Sequence, residues 1–295
     1  MYKLIAIDID GTLINSYGEI TNENKNAVKK ANEAGINVIL ASGRNYATIQ
    51  SFSNDLNLNK YAICGNGSSI YDIKNNKVIY EKTLSKEKVL DIIKICEENS
   101  IYYNIYTESS ILTQKLNYNT LVYYNENLKK QDGKKTYINI IENLYKYVKE
   151  SEIDKYLKIT ICDDSQVIFK NILKTLKNIK GIDVLDVEHM SRKIIKTGST
   201  EIKVEYFYTE VTAENTDKWN AIKFLAKELG IENKEVLTIG DNINDKTMIE
   251  NAGLGIAMGN SNPSIKEVAD CVVNDNDSSG VAQAINKFVF WNITV

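Results

Sequence analysis

Apolar and polar residues switch between two periods along this chain, and the switches mark its elements. KLIAIDI and INVILAS are short β-rich runs. Between them lies TNENKNAVKKANEAG, a helical stretch with Thr21 as its cap and Gly35 as its stop. The spacing predicts a second helix from Asn45 to Leu58 and a third strand in YAICGNG. The same rhythm returns toward the C-terminus. DKWNAIKFLAKELG is an amphipathic helix with Trp219, Ile222, Leu225 and Ala226 on its apolar side. EVLTIGD, LGIAMGN and CVVND read as strands, NDKTMIENAG and SIKEVAD as helices, and SSGVAQAINKFV as a closing helix. Such alternation predicts an α/β fold, a Rossmann-like parallel sheet covered by helices on both faces.

The middle of the chain follows another pattern. IYYNIYTES and ILTQK read as a strand pair split by Glu108 to Ser110, and Leu116 to Glu150 as partly helical. YLKITICDD, IDVLDVEH and Glu201 to Val211 read as strands, with SQVIFKNILKTLKNIKG as a helix. Half-exposed strands of this kind are α+β in character. Residues 83–211 are therefore expected to form an inserted domain, with 1–82 and 212–295 making the core.

Chemistry-bearing residues gather where strands end. Asp8 and Asp10 close the first apolar run, and Gly11 turns the chain. Two carboxylates two residues apart on a strand point to one side and repel unless a cation lies between them. That arrangement costs stability without helping folding, so it reads as a site. Ser42, in ASGR, ends the second strand, and Asp241, in GDNIND, ends a strand far along the chain. Open parallel sheets bind ligands at the carboxyl ends of their strands, so the three converge. Lys218, at the start of a core helix, is placed to join them. Asp8, Asp10, Asp241 and Asp245 would together repel an anionic substrate, and one lysine does not offset them. A divalent cation is therefore expected.

Composition narrows the remaining classes. Net charge is −3, from 36 basic and 39 acidic residues, so no basic field points to nucleic acid. Apolar runs are too short for a membrane span, and the first residues lack the long apolar region of a signal peptide. Four cysteines, Cys64, Cys96, Cys162 and Cys271, form no CxxC pair and read as free thiols of a cytoplasmic protein. The single histidine, His189, rules against a Ser-His-Asp triad or a His-rich zinc site and is expected on the surface of the insert. GNGSSI lacks the last glycine of a dinucleotide fingerprint, and no GxxxxGK[ST] occurs. GDNIND is not a calcium loop, because Ile243 stands at its third position; DNDSSG fails because Asn286 stands where a bidentate Glu is required.

DIDGT, ASGR, Lys218 and GDNIND, in that order, resemble the motifs of the haloacid dehalogenase superfamily. The chain is most similar to the Cof-type phosphatases, whose large α/β cap lies between the second and third motifs. The run MGNSNPSIKEVADCVVNDNDSSGV is similar to that subgroup's ending. The resemblance implies a Mg²⁺-dependent phosphatase of small phosphorylated metabolites, such as sugar phosphates. It implies that Asp8 attacks phosphorus to give an aspartyl-phosphate and that Asp10 is the general acid and then base. It implies Mg²⁺ on the Asp8 carboxylate, the Asp10 carbonyl and Asp241. Ser42, Gly43, Lys218 and Asn244 would hold the phosphate, and Asp245 would orient Lys218 or a metal-bound water. Two features depart from the pattern: Trp219 replaces the usual glycine after Lys218, and MSRKIIKTGST is long. A sugar phosphomutase and a non-catalytic phosphometabolite sensor are the competing readings.

Overall fold

The structure is a computed structural model that describes residues 1–128, 130, 135–185, 190–197 and 200–290. His189 lies outside the described residues. Among the described residues no helix is long and apolar enough to cross a membrane. The chain divides into two compact units. One comprises Met1–Arg44, Ile49–Glu81 and Asp217–Val295; the other comprises Lys82–Thr216 with Asn45–Thr48.

The first unit is built on an eight-stranded sheet. Its order is Cys271–Val272, Leu254–Ala257, Val236–Gly240, Leu4–Ile7, Asn37–Ala41, Tyr61–Cys64, Ser69–Asp72 and Lys77–Glu81. The first six are parallel. Alternation along each strand sorts side chains between two faces. Leu4, Ala6, Ile39 and Ala41 pack with Trp219, Ile222, Leu225, Met248 and Ile249 from helices Lys218–Glu228 and Lys246–Asn251. Helix Asn22–Glu33 lies with helix Gly280–Ile285. Asn24 joins them: its oxygen accepts from the Ala282 amide at 2.9 Å and its amino group donates to the Leu13 carbonyl at 3.1 Å. Thr21 caps the first of these helices by accepting from the Asn24 amide, and Gly35 follows it at φ +85°.

Two strands depart from the sequence reading. Ser69–Asp72 and Lys77–Glu81 extend the sheet as an antiparallel hairpin, so the edge is not parallel. Their signal was the short alternation on either side of Lys74–Asn76, next to the more conspicuous glycines of GNGSSI. The stretch Leu116–Glu150 holds two helices, Tyr118–Asn127 and Leu144–Glu150, but also the strand Ile138–Ile140.

The second unit carries a sheet in the order Ile182–Val184, Thr200–Ala213, Lys158–Asp163, Tyr102–Tyr106, Ile111–Thr113, Ile138–Ile140. Ser191–Thr197, from the long MSRKIIKTGST segment, pairs with the first half of Thr200–Ala213. The second half pairs with Lys158–Asp163. Tyr103, Ile105, Ile159, Ile161 and Val211 meet Val89, Ile92, Phe169 and Ile172 from helices Lys86–Glu98 and Gln166–Leu176. Neighbouring strand positions face the other way; some join smaller apolar clusters around Tyr102, Cys162 and Tyr106, and others are polar. Asn104 and Asn119 exchange amide hydrogen bonds at 2.9 and 3.2 Å, and Lys158 pairs with Glu210.

Gly67, the second glycine of GNGSSI, serves close packing in the first unit. Gly67 sits at φ +98°, and a Cβ there would lie 2.1 Å from the Asp217 carbonyl oxygen, just before Lys218. Only a glycine lets this loop pass the start of that helix. We expect Gly67→Ala to cost about 2–4 kcal/mol, the scale of a strained φ combined with displaced backbone. Urea unfolding measures it; a shift below about 0.5 kcal/mol would contradict the close approach.

Candidate active site

Parallel pairing brings the sequence-selected residues to one end of the sheet. Ile7 lies opposite Leu40 on one side and Ile239 on the other. Asp8, Ser42 and Asp241 therefore leave three neighbouring strands within two residues of these partners. The first strand ends at Ile7, so Asp8 and Asp10 are not two positions of one strand. Chain turning at Gly11 gives them different surroundings.

Asp8 is buried and faces Lys218. The Lys218 Nζ donates to Asp8 Oδ1 at 2.5 Å and to Asp245 Oδ1 at 2.6 Å, and the lysine is 0% exposed. Asp217 positions it by capping the helix, accepting from the Asn220 amide at 2.7 Å. The other oxygen of Asp245 accepts from the amides of Asp241 and Asn242, both at 3.0 Å. Asp245 is thus fully engaged in holding the lysine and the loop. Asp241 Oδ1 accepts from the Thr12 hydroxyl at 2.8 Å. Gly11, at φ +82°, passes so near that a Cβ would stand 2.4 Å from Asp241 Oδ2.

Asp10 points elsewhere. Its two oxygens accept from Arg44 Nε at 2.7 Å and Nη2 at 2.6 Å. Arg44 is 6% exposed and Asp10 50%. The sequence reading quoted Arg44 within ASGR but gave it no role. An arginine directly after a strand-end Ser-Gly, facing an upstream acidic pair, was the available signal. Ser42 is buried; its amide donates to the Ile63 carbonyl at 3.0 Å and its hydroxyl accepts from the Arg44 amide at 3.3 Å. Gly43 lies between them, half-buried. Asn244 donates to Asn66 Oδ1 at 3.0 Å, tying GDNIND to the GNGSSI loop.

Burial and crowding set the charge state. Burial pushes the Asp8 carboxyl well above its ordinary value, Asp245 adds to this, and Lys218 opposes it. Burial, with Asp245 beside it, pushes Asp241 up to about 7. For Lys218 burial works against the charged form, but Asp245 and Asp8 outweigh it and hold the ammonium above its usual range.

A family profile described as haloacid dehalogenase-like hydrolase matches residues 5–285. The chain belongs to that family. Phosphatase YwpJ of Bacillus subtilis is 31% identical over 97% of this chain and 100% of its own. The 5-amino-6-(5-phospho-D-ribitylamino)uracil phosphatase YcsE of Bacillus subtilis is 26% identical over 97% of this chain and 96% of its own. A solved haloacid dehalogenase-like hydrolase from B. subtilis superposes with a TM-score of 0.81 at 28% identity, covering 97% of this chain and all of that one. The fold is therefore the α/β fold of these hydrolases.

In this haloacid dehalogenase-like hydrolase, Asp8, Asp241 and Asp245 offer carboxylate oxygens within 4.8 Å of one another. An all-oxygen set without His or Cys suits a hard divalent cation. Because Asp245 is engaged by Lys218 and two amides, Asp8 and Asp241 are the carboxylates suited to hold it.

The raised carboxyl of Asp241 has a defined effect on stability. In the metal-free fold it binds a proton that the unfolded chain releases near pH 4. Its contribution is therefore fully present at low pH and is lost as pH rises toward 7. We expect metal-free Asp241→Asn to melt above wild type at pH 7.5, with the gap closing at pH 4.5. Melting curves across that range test this; a gap that widens on acidification would contradict the raised value.

Proposed function

We propose that this phosphatase hydrolyses small phosphorylated metabolites in two steps, with Asp8 as nucleophile, Asp10 as general acid and base, and Mg²⁺ as cofactor. The observation that carries the reading is the buried Lys218 bridging Asp8 and Asp245, with Asp241 beside them. Asp8, Asp241 and the Asp10 carbonyl would hold Mg²⁺, which when bound neutralises charge on the carboxylates and on the transferring phosphoryl group.

The chain's own groups divide the remaining work. An Asp8 oxygen attacks phosphorus, and the bond from phosphorus to the ester oxygen breaks. Asp10 gives its proton to that departing oxygen. Water then attacks the aspartyl-phosphate, Asp10 takes the proton, and inorganic phosphate leaves with the Asp8 carboxylate restored. Lys218 is the fixed positive charge, and Asp245 with Asp217 keeps it in place. Ser42, the Gly43 amide and Asn244 are assigned to the phosphate oxygens. Asp10 is half-exposed, which suits a group that must meet a leaving oxygen. Residues 83–211, the cap in this reading, would select the organic part. The name of YcsE specifies a ribityl phosphate ester, which supports a sugar or polyol phosphate as the substrate class.

A panel of phosphorylated metabolites, assayed for released phosphate with and without Mg²⁺, tests the reading. Phosphate appearing on a second sugar hydroxyl instead of in solution would favour the mutase, and no turnover at all would favour the sensor. We expect Asp8→Asn to abolish turnover while the protein stays folded; turnover near wild type would remove Asp8 as nucleophile. We expect Asp10→Asn to slow turnover by about 10²–10⁴-fold, with metal affinity changed much less because the backbone carbonyl remains. Collapsed metal affinity with a normal rate at saturating Mg²⁺ would instead make the Asp10 side chain a ligand.

A further inference from the structure

The polar run DNDSSG fails as a calcium loop, and nothing in the proposed reaction uses it. Its side chains nevertheless reach back to the first catalytic loop. Asp277 accepts from the Ser16 amide at 2.7 Å and from the Ser16 hydroxyl at 2.6 Å. The Asn276 amino group donates to the Ile14 carbonyl at 2.9 Å. The Ser279 and Thr21 hydroxyls meet at 2.8 Å. A second segment joins in. The Asn276 backbone amide donates to Asn260 Oδ1 at 3.1 Å, and Asn260 Nδ2 donates to the Gly11 carbonyl at 2.8 Å.

These last two bonds form a directed relay. A backbone amide is only a donor, so it fixes the Asn260 oxygen toward Asn276 and turns the amino group toward Gly11. The relay starts beyond strand Cys271–Val272, passes the end of strand Leu254–Ala257, and finishes beyond strand Leu4–Ile7. Gly11 has no slack to absorb a change, because it already lies against Asp241. The next residue, Thr12, is tied to Asp241 by its hydroxyl. The Asp10–Gly11 peptide is therefore gripped from its C-terminal side by two independent hydrogen bonds.

We propose that Asn260 and Asn276 are positioning residues that set the direction of the Asp10–Gly11 peptide, and through it the Asp10 carbonyl assigned to the metal. This rests on the proposed reading of the site. The Asn260 contact is exposed, where a single hydrogen bond adds little to folding stability. Its effect belongs to geometry, and groups that orient a metal's ligands alter affinity or rate by about 10–100-fold.

The decisive variant is Asn260→Asp. It is isosteric and still accepts from Asn276, but it turns an oxygen onto the Gly11 carbonyl. Its added negative charge would by itself strengthen cation binding, so weaker binding reports misdirection. Asn260→Ala, which removes the contact without adding charge, is the companion. Mn²⁺ binding to the metal-free protein is followed by electron paramagnetic resonance. Turnover of p-nitrophenyl phosphate at saturating Mg²⁺ and the melting temperature are measured alongside. We expect both variants to weaken Mn²⁺ binding and lower kcat by about tenfold, at the lower end of that range, with KM and melting temperature close to wild type. Unchanged Mn²⁺ affinity and kcat in both, beside an active wild type, would overturn the positioning role alone. Losses that merely track a lower melting temperature would also overturn it. A wild type that binds no Mn²⁺ would overturn the metal reading and this assignment with it.

Discussion

An ammonium group with no exposure to water lies between two carboxylates, and the first unit is arranged around it. Burying Lys218, Asp8 and Asp245 removes three charges from water, and such a cluster contributes little to net stability. Removing Lys218 would cost far more, because Asp8 and Asp245 would be left uncompensated in a medium that screens poorly. Lys218 therefore constrains its neighbours more than it stabilises them. Asp245 must turn one oxygen to it, and spends the other on the amides of Asp241 and Asn242. Asp8 must meet it from the end of the central strand. The GNGSSI loop must pass its helix start with no side chain in the way.

The same cluster is one that could hold a cation. Asp8, Asp241 and Asp245 are three carboxylates facing one ammonium. Burial first, and the neighbouring Asp245 second, push Asp8 and Asp241 upward, so protonation relieves the crowding in the absence of metal. A divalent ion held there would relieve it as well, and would displace those protons on binding.

Legibility in the sequence followed the range of each interaction. Parallel strands and their helices were legible because apolar periodicity is local, and the strand-end residues were legible because a parallel sheet delivers its carboxyl ends to one place. Asp8, Lys218, Asp241 and Asp245 do meet. What escaped was settled by partners far along the chain. Gly67 read as part of a failed nucleotide fingerprint, since its reason is the Asp217 carbonyl. Arg44 was given no role, since its reason is Asp10. Asn276 read only as part of a failed calcium loop, since its reasons are Ile14 and Asn260. The edge hairpin Ser69–Glu81 escaped because its short strands lie next to the more conspicuous glycines of GNGSSI.

Two carboxylates only two residues apart can differ in chemistry only if their surroundings differ, and here they do. Asp8 is buried against a fixed ammonium, with its charge contested by burial and by Asp245. Asp10 sits half in solvent against the planar fork of Arg44, which matches a carboxylate at both oxygens. A nucleophile benefits from immobility, since attack requires one oxygen in line with the bond that breaks. An acid that later acts as base benefits from access, since it must meet the leaving oxygen in one step and the attacking water in the next. The turn at Gly11 separates these requirements over the shortest length of chain that permits it, and the glycine is required because Asp241 occupies the space a side chain would fill. The DIDGT sequence therefore specifies one immobile and one accessible carboxylate, with the difference supplied by Lys218 on one side and Arg44 on the other.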